Sequence, residues 1–230
     1  MATGGSSDSL QHLFFPQTSL ERFTFTNPSL PGGPISLQCL PADEGQVSVI
    51  GKVLWPAATA LAHFLIEHQY FVRGKRVAEL GCGIGLVGIA ARRLGAAHVL
   101  LTDGDAAVVA LARENAINDV VECERLIWGE GVPEQWRDAF DVVLAADVIY
   151  GVDGSVCGPL IDTVSRLVKT DGTGRVLVAA HRLRFDVHAD VFVGAVRGAG
   201  LRQKEHLVLD ERGREYQDGR IHLFVLGVGD

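Results

Sequence analysis

The stretch Val77-Ala-Glu-Leu-Gly-Cys-Gly-Ile-Gly-Leu-Val-Gly88 constrains this chain most: an apolar run enters glycines spaced two apart and leaves with helical periodicity. Glycines so placed let a strand turn sharply into a helix and bring backbone close to a ligand at the carboxyl end of a sheet. The sequence around this junction supplies the rest of such a sheet. Residues 76–80, 98–102, 120–128, 140–146 and 175–180 read as strands. Residues 86–94 and 106–117 read as helices, the first terminated by Gly95. Val156, Leu160, Val164 and Leu167 stripe a third helix, and Val187, Val191 and Ala195 a fourth. Upstream, Leu54, Ala58, Leu61 and Leu65 fall at helical spacing behind a first-turn Pro56.

Alternating strands and helices with strands apolar on both faces specify an α/β fold with a doubly wound sheet. The last two strands, 201–209 and 221–226, are joined by a turn-rich segment without a helix and should pair antiparallel. Ahead of residue 53 the pattern differs. Residues 21–26, 35–40 and 46–50 read as short β segments separated by Pro/Gly-rich turns, and residues 1–20 as a loose Ser/Gly-rich tail in which Leu13-Phe14-Phe15 could dock. The expected organisation is a tail (1–20), a small N-terminal β-extension (21–52) and an α/β domain (53–230).

Composition excludes several classes. Lys and Arg number 21 against 28 Asp and Glu, a net charge of −7, which disfavours nucleic acid as a partner. No apolar run approaches the 18 or so residues of a membrane span, and the N-terminus lacks the pattern of a secretory signal. None of the four cysteines forms a C-x-x-C pair, so reduced thiols in a cytoplasmic or nuclear protein are expected. The eight histidines show no metal-ligand spacing, and no metal is predicted.

Gly83-Ile-Gly85-Leu-Val-Gly88 satisfies the dinucleotide fingerprint, a weak match by itself. Glu79, two residues before the first glycine, would repel a pyrophosphate but attract an ammonium or other cation; it could equally cap the glycine turn. Asp103 ends the next strand, where an acid can accept both ribose hydroxyls. It could instead cap the following helix, though Asp105 is better placed for that. The balance favours S-adenosyl-L-methionine, which carries a ribose, an ammonium and a sulfonium but no phosphate.

At this point the residues resemble a known family. Glu79-Leu-Gly-Cys-Gly-Ile-Gly85, Leu101-Thr-Asp103 and Phe140-Asp-Val-Val-Leu-Ala-Ala-Asp147-Val-Ile-Tyr150 are similar to motifs of class I, seven-β-strand methyltransferases. Val53-Leu-Trp55-Pro-Ala-Ala58 and Leu126-Ile-Trp128-Gly129 narrow the resemblance to the methyltransferase-like family 16 group, mostly protein-lysine methyltransferases. It implies a Rossmann-like seven-stranded sheet with a C-terminal antiparallel hairpin, and S-adenosyl-L-methionine as donor with S-adenosyl-L-homocysteine as product. It also implies cofactor contacts at Trp55, Glu79, Gly81, Cys82, Gly83, Gly85, Asp103, Trp128 and Ala146. Glu79 would lie beside the ammonium, Asp103 at the ribose, Trp128 along the adenine and Trp55 at the methionyl side.

Asp147-Val-Ile-Tyr150 follows a strand at the cofactor end, and in the family this D-x-x-Y pattern borders the acceptor lysine. Asp147 would accept hydrogen bonds from the incoming ammonium and Tyr150 would wall the channel for cation–π contact. Val148 and Ile149 stand where amino-base methyltransferases resemble one another in paired prolines, which argues for a protein acceptor. Arginine methylation, a small-molecule acceptor and a non-catalytic cofactor-binding scaffold remain as alternatives. His181, after the fifth strand, is a possible proton acceptor or a structural residue. A cytoplasmic or nuclear monomer acting on a protein is the expectation.

Overall fold

The computed structural model describes residues 19–41, 47–151 and 153–229. The tail expected over 1–20, with Leu13-Phe14-Phe15, lies outside the described residues except for its last two. Two strands, β1 (Glu21–Phe25) and β2 (Ile35–Cys39), form an antiparallel hairpin. The remaining strands are β3 (Arg76–Leu80), β4 (His98–Asp103), β5 (Glu122–Arg125), β6 (Val142–Ala146), β7 (Arg175–His181), β8 (Leu201–Leu209) and β9 (Ile221–Val228). They make one seven-stranded sheet in the order β5-β4-β3-β6-β7-β9-β8. Strands β3 to β7 run parallel, and β9 enters antiparallel between β7 and β8.

Helices α1 (Pro56–Glu67), α2 (Leu86–Arg93) and α3 (Ala106–Asn115) cover one face together with the hairpin, while α4 (Cys157–Leu167) and α5 (Arg182–Gly198) cover the other. Every residue of β6 is buried, as a strand covered on both faces requires. From β3 the chain steps outward through β4 and β5, then returns to place β6 on the other side of β3. The carboxyl ends of β3 and β6 therefore flank a switch point, where such sheets open a crevice. No described helix is long and apolar enough to cross a membrane.

Three expectations are corrected. The strand expected over 46–50 is not formed by residues 47–50, which wind into a 3-10 turn, Val47–Lys52; residue 46 lies outside the described residues. The Leu40 N–H bonds to Lys52 O, so the chain must double back within twelve residues and cannot run extended. The strand expected over 120–128 shortens to Glu122–Arg125, because Val121 N–H turns back onto Asp119 O and a second turn, Glu130 N–H to Ile127 O, follows. On α5, Val187 and Val191 face outward, 71% and 46% exposed, while Phe185, His188, Phe192 and Val196 are buried. Phe185 and Phe192 pack on Phe224 of β9 at centroid distances of 4.7 and 5.5 Å, and rings that size outweigh valines in choosing the buried face.

The glycine turn is held from beneath. Gly81, Gly83 and Gly85 all adopt positive φ, a region where a β-carbon is strained. Gly85 is the N-cap of α2 and offers no side chain to the first-turn N–H groups. Glu79 takes that part: its carboxylate, 2% exposed, accepts the Gly88 N–H at 2.7 Å across the turn. Thr102 on β4 donates its hydroxyl to Glu79 O at 2.8 Å, tying the strand below the turn to its neighbour. Burial raises the Glu79 carboxyl to about 8, against the opposing effect of the Gly88 N–H, and the nearby Asp103 charge adds to the rise.

Gly88 leaves no room for a side chain. A β-carbon there would fall within the radius of Leu101 Cδ2 and 2.8 Å from Glu79 Oε2. Gly88→Ala should cost about 2 kcal/mol, in the range for overpacking a filled core, and lower the melting temperature by roughly 4–8 °C. Glu79 also gives the protein a pH signature. Its carboxyl is ionised in the unfolded chain above about pH 4.3 but stays protonated in the folded protein up to about 8. Folding takes up a proton between those limits, so this contribution to stability is complete in acid and is lost as pH rises toward 8. Denaturant unfolding from pH 5 to 8 should show a steeper fall for the native protein than for Glu79→Gln, which keeps the acceptor without the ionisation.

Candidate active site

A cleft of about 510 Å³ opens at the carboxyl ends of β3, β4 and β6, within the roughly 300–1,000 Å³ range of small-molecule sites. Gly81 and Gly83 of the turn form its floor, and Asp103 stands at the end of β4 beside them. Asp103 Oδ2 accepts the Gly83 N–H at 3.3 Å and Oδ1 accepts the Asp105 N–H at 3.1 Å. Burial pushes its carboxyl above the ordinary aspartate value, partly offset by these N–H groups. The helix cap of α3 is Asp105, which accepts from Ala107 N–H at 2.8 Å, so Asp103 is not spent on that task.

Trp128 comes from the turn after β5. The Leu126 N–H bonds to Asp103 O, and the Gly129 N–H to Thr163 Oγ1 at 3.0 Å, so both flanks of the tryptophan are fixed. Its ring lies against Gly81, where a β-carbon would sit 3.0 Å from Cζ2. The Trp128 Nε1–H is buried without an acceptor among the described residues, a donor that an oxygen or nitrogen of a bound molecule would satisfy. Tyr150, 43% exposed, faces it with ring centroids 6.4 Å apart. Burial first, and the Asp103 charge second, raise the Tyr150 hydroxyl.

Ala146 and Asp147 line the wall at the end of β6. Asp147 is buried with φ of 57°, a left-handed conformation that short polar side chains tolerate best. Its N–H bonds to Ala179 O at 2.8 Å, and its Oδ1 accepts the His181 N–H at 3.0 Å. His181 thus reaches the site through its backbone. The front wall is the 3-10 turn and Trp55, whose Nε1–H donates to Ile50 O at 2.9 Å.

Six of the nine residues expected at a cofactor therefore line this cleft: Trp55, Gly81, Gly83, Asp103, Trp128 and Ala146. Asp147 and Tyr150 line it as well. Glu79, Cys82 and Gly85 lie behind it. Glu79 is turned onto α2 by its bond to Gly88. Cys82 is buried, with burial and the Glu79 charge holding its thiol well above the ordinary cysteine value. A β-carbon on Gly85 would point at Leu101 and Ile89 in the core. All four cysteines are buried free thiols. Among the described residues no cluster of three or more His, Cys, Asp or Glu side chains could hold a metal ion.

Sequence reading missed three contributors. Gly51 and Lys52 of the front wall fall just past the strand expected over 46–50, and the glycine directly after Val49-Ile50 was a signal for a turn. His188 on α5 is 4% exposed and its Nε2–H meets Gly151 O at 3.0 Å, fixing the loop just after Tyr150.

The lining fits an adenosyl group carrying a sulfonium. Asp103 offers a carboxylate oxygen to vicinal hydroxyls, Trp128 an indole face to a flat base, and Asp103, Asp105 and Asp147 a negative field to a cation. The chain matches the family profile described as "Lysine methyltransferase" over residues 37–196. It is 34% identical to protein N-lysine methyltransferase METTL21A of Danio rerio over 60% of this chain and 63% of that protein. It is 32% identical to protein-lysine N-methyltransferase EFM3 of Chaetomium thermophilum over 75% of this chain and 56% of that protein. With the electron transfer flavoprotein beta subunit lysine methyltransferase of Xenopus laevis it shares 31% identity over 59% of this chain and 54% of the relative. The matched region thus spans between about half and two thirds of these relatives. Among solved structures, the fold resembles the T. thermophilus 16S rRNA N2 G1207 methyltransferase (TM-score 0.62, 17% identity, 92% of this chain and 51% of that one). It also resembles a TehB-like S-adenosylmethionine-dependent methyltransferase from Corynebacterium glutamicum (TM-score 0.57, 19% identity, 80% and 92%). At such identities these two likenesses establish the fold, and the profile match over most of the chain establishes the family: the protein belongs to the lysine methyltransferase family.

Proposed function

We propose that this protein transfers a methyl group from S-adenosyl-L-methionine to a lysine side chain of another protein, leaving S-adenosyl-L-homocysteine. The observation that carries the reading is one cleft, in a chain of the lysine methyltransferase family, where Asp103 and Trp128 stand with Asp147 and Tyr150. When bound, the cofactor supplies an electrophilic methyl group on a sulfonium. The lysine nitrogen forms its new bond to that carbon with its lone pair, and the carbon–sulfur bond breaks with its electrons returning to sulfur. Only about one lysine in a thousand is neutral near pH 7. Asp147 would orient the amine through its carboxylate as the proton leaves to solvent, and the Tyr150 ring would shield the approach.

In this reading Asp103 binds the ribose hydroxyls, Trp128 stacks on the adenine, and Trp55 walls the methionyl side. Glu79, Cys82 and Gly85 act from behind, by setting the turn that Gly81 and Gly83 present. A protein acceptor is favoured over nucleic acid by the net charge of −7. Buried reduced thiols suit work in the cytoplasm or nucleus. The proposal is for a monomer, which a solution mass of 24.7 kDa by light scattering would support.

Purified protein with methyl-labelled cofactor and an unlabelled lysate tests the reading. Label should enter a protein band and be recovered as methyl-lysine after acid hydrolysis. Label in nucleic acid, small molecules or methyl-arginine would refute it. Asp147→Asn keeps an acceptor for the His181 N–H and tolerates the left-handed backbone; it should lower turnover about 10²-fold while leaving the melting temperature and cofactor affinity nearly unchanged. Trp128→Ala should instead weaken cofactor binding by roughly tenfold or more, as loss of an aromatic platform under a base does, read by titration calorimetry.

A further inference from the structure

We propose that Lys52 binds the carboxylate at the methionyl end of S-adenosyl-L-methionine and makes the site discriminate against the decarboxylated form of the cofactor; this rests on the cofactor reading above. The cofactor carries two cations, the sulfonium and the ammonium, and one anion, the carboxylate. Asp103, Asp105 and Asp147 in the lining repel that anion, and Lys52 is the single lysine or arginine among the described lining residues. Several N–H groups of the glycine turn are taken up within the fold. The Cys82 N–H is bonded to Thr102 O, the Gly83 N–H to Asp103 and the Gly85 N–H to Cys82 O. Three donors that could otherwise cradle an anion are already committed.

Lys52 is held where such an interaction requires it. Its carbonyl accepts the Leu40 N–H at 2.8 Å, which joins it to the end of the hairpin. The preceding carbonyl, Gly51 O, lies 3.1 Å from where a β-carbon on Gly83 would stand, so the turn is seated directly on the glycine loop. Three residues later Trp55 completes the same wall. Lys52 is half-buried, and its ammonium forms no ion pair with the described residues. Lys52 is thus a cation on the front wall of the cleft, seated beside a floor in which three N–H groups are committed.

Binding of two probes to the native protein, Lys52→Met and Lys52→Arg tests this: S-adenosyl-L-methionine and its decarboxylated analogue, which keeps both cations. The native protein should prefer the complete cofactor by about tenfold, the scale of one charge-assisted hydrogen bond. Lys52→Met should lose that preference by weakening the complete cofactor alone, with the decarboxylated probe bound within about twofold of native, which also shows an intact fold. Lys52→Arg should keep most of the preference. A preference unchanged in Lys52→Met, or equal weakening of both probes, overturns the assignment while leaving the cofactor reading in place. A native protein that binds neither probe overturns the cofactor reading, and the assignment falls with it.

Discussion

The bond between the Glu79 carboxylate and the Gly88 N–H sets the geometry on which the rest of the site depends. A strand that turns into a helix through three positive-φ glycines has little intrinsic stiffness, since glycine loses more conformational freedom on folding than any other residue. Anchoring the strand end to the first turn of the helix across that loop fixes both its limbs. Asp103 grips the loop from the neighbouring strand at Gly83. The parallel register that pairs Glu79 with Leu101 and Leu80 with Thr102 carries Asp103 two residues beyond Glu79, level with the start of the glycine turn. The loop is therefore clamped by one carboxyl from below and one from the side, and only the second faces the cleft.

The front wall depends on the hairpin in the same way. Asn115, at the end of α3, exchanges two hydrogen bonds with the Gln38 backbone as though it were a neighbouring strand, and its amide also donates to Ile84 O inside the glycine loop. Arg93 reaches from α2 to the Gly33 and Pro34 carbonyls while paired with Asp119. The hairpin is thus registered against the helix that follows the glycine turn. That registry passes through Leu40 to Lys52 and on to Trp55. A displaced hairpin would move the front of the cleft relative to its floor, which gives a segment remote from the chemistry a direct hold on the site.

Most of the sheet was legible because its strands are apolar on both faces and its turns are marked by glycine. The glycine junction, Asp103 and the Asp147–Tyr150 corner could be placed from order alone, since each follows a strand on the same side of the sheet. The failures share a cause. Residues 46–50 were read as a strand because Val47, Val49 and Ile50 suit an extended chain, yet a distant bond from Leu40 decides the path. Val187 and Val191 were given the buried stripe because local spacing cannot see Phe224 on β9, which draws Phe185 and Phe192 inward. Glu79 was legible as important but not in its geometry. Period-2 alternation puts it with Val77 on the α2 face of the sheet, where its carboxylate bonds to the Gly88 N–H.

That division of the acids has an electrostatic consequence. Glu79 and Asp103 both have raised pKa values from burial, but Glu79, fully enclosed, is pushed to about 8 and carries little charge at neutral pH. Asp103 keeps three backbone N–H bonds that favour its ionised form, those of Gly83, Gly104 and Asp105. The cleft therefore presents its negative charge at the carboxylates that face a ligand, while the acid beneath the floor remains close to neutral. Two ionised carboxylates so near one another would repel across a medium of low dielectric. Leaving the hidden one protonated relieves that repulsion and keeps the attraction for a cationic cofactor at Asp103, on the cleft side of the turn.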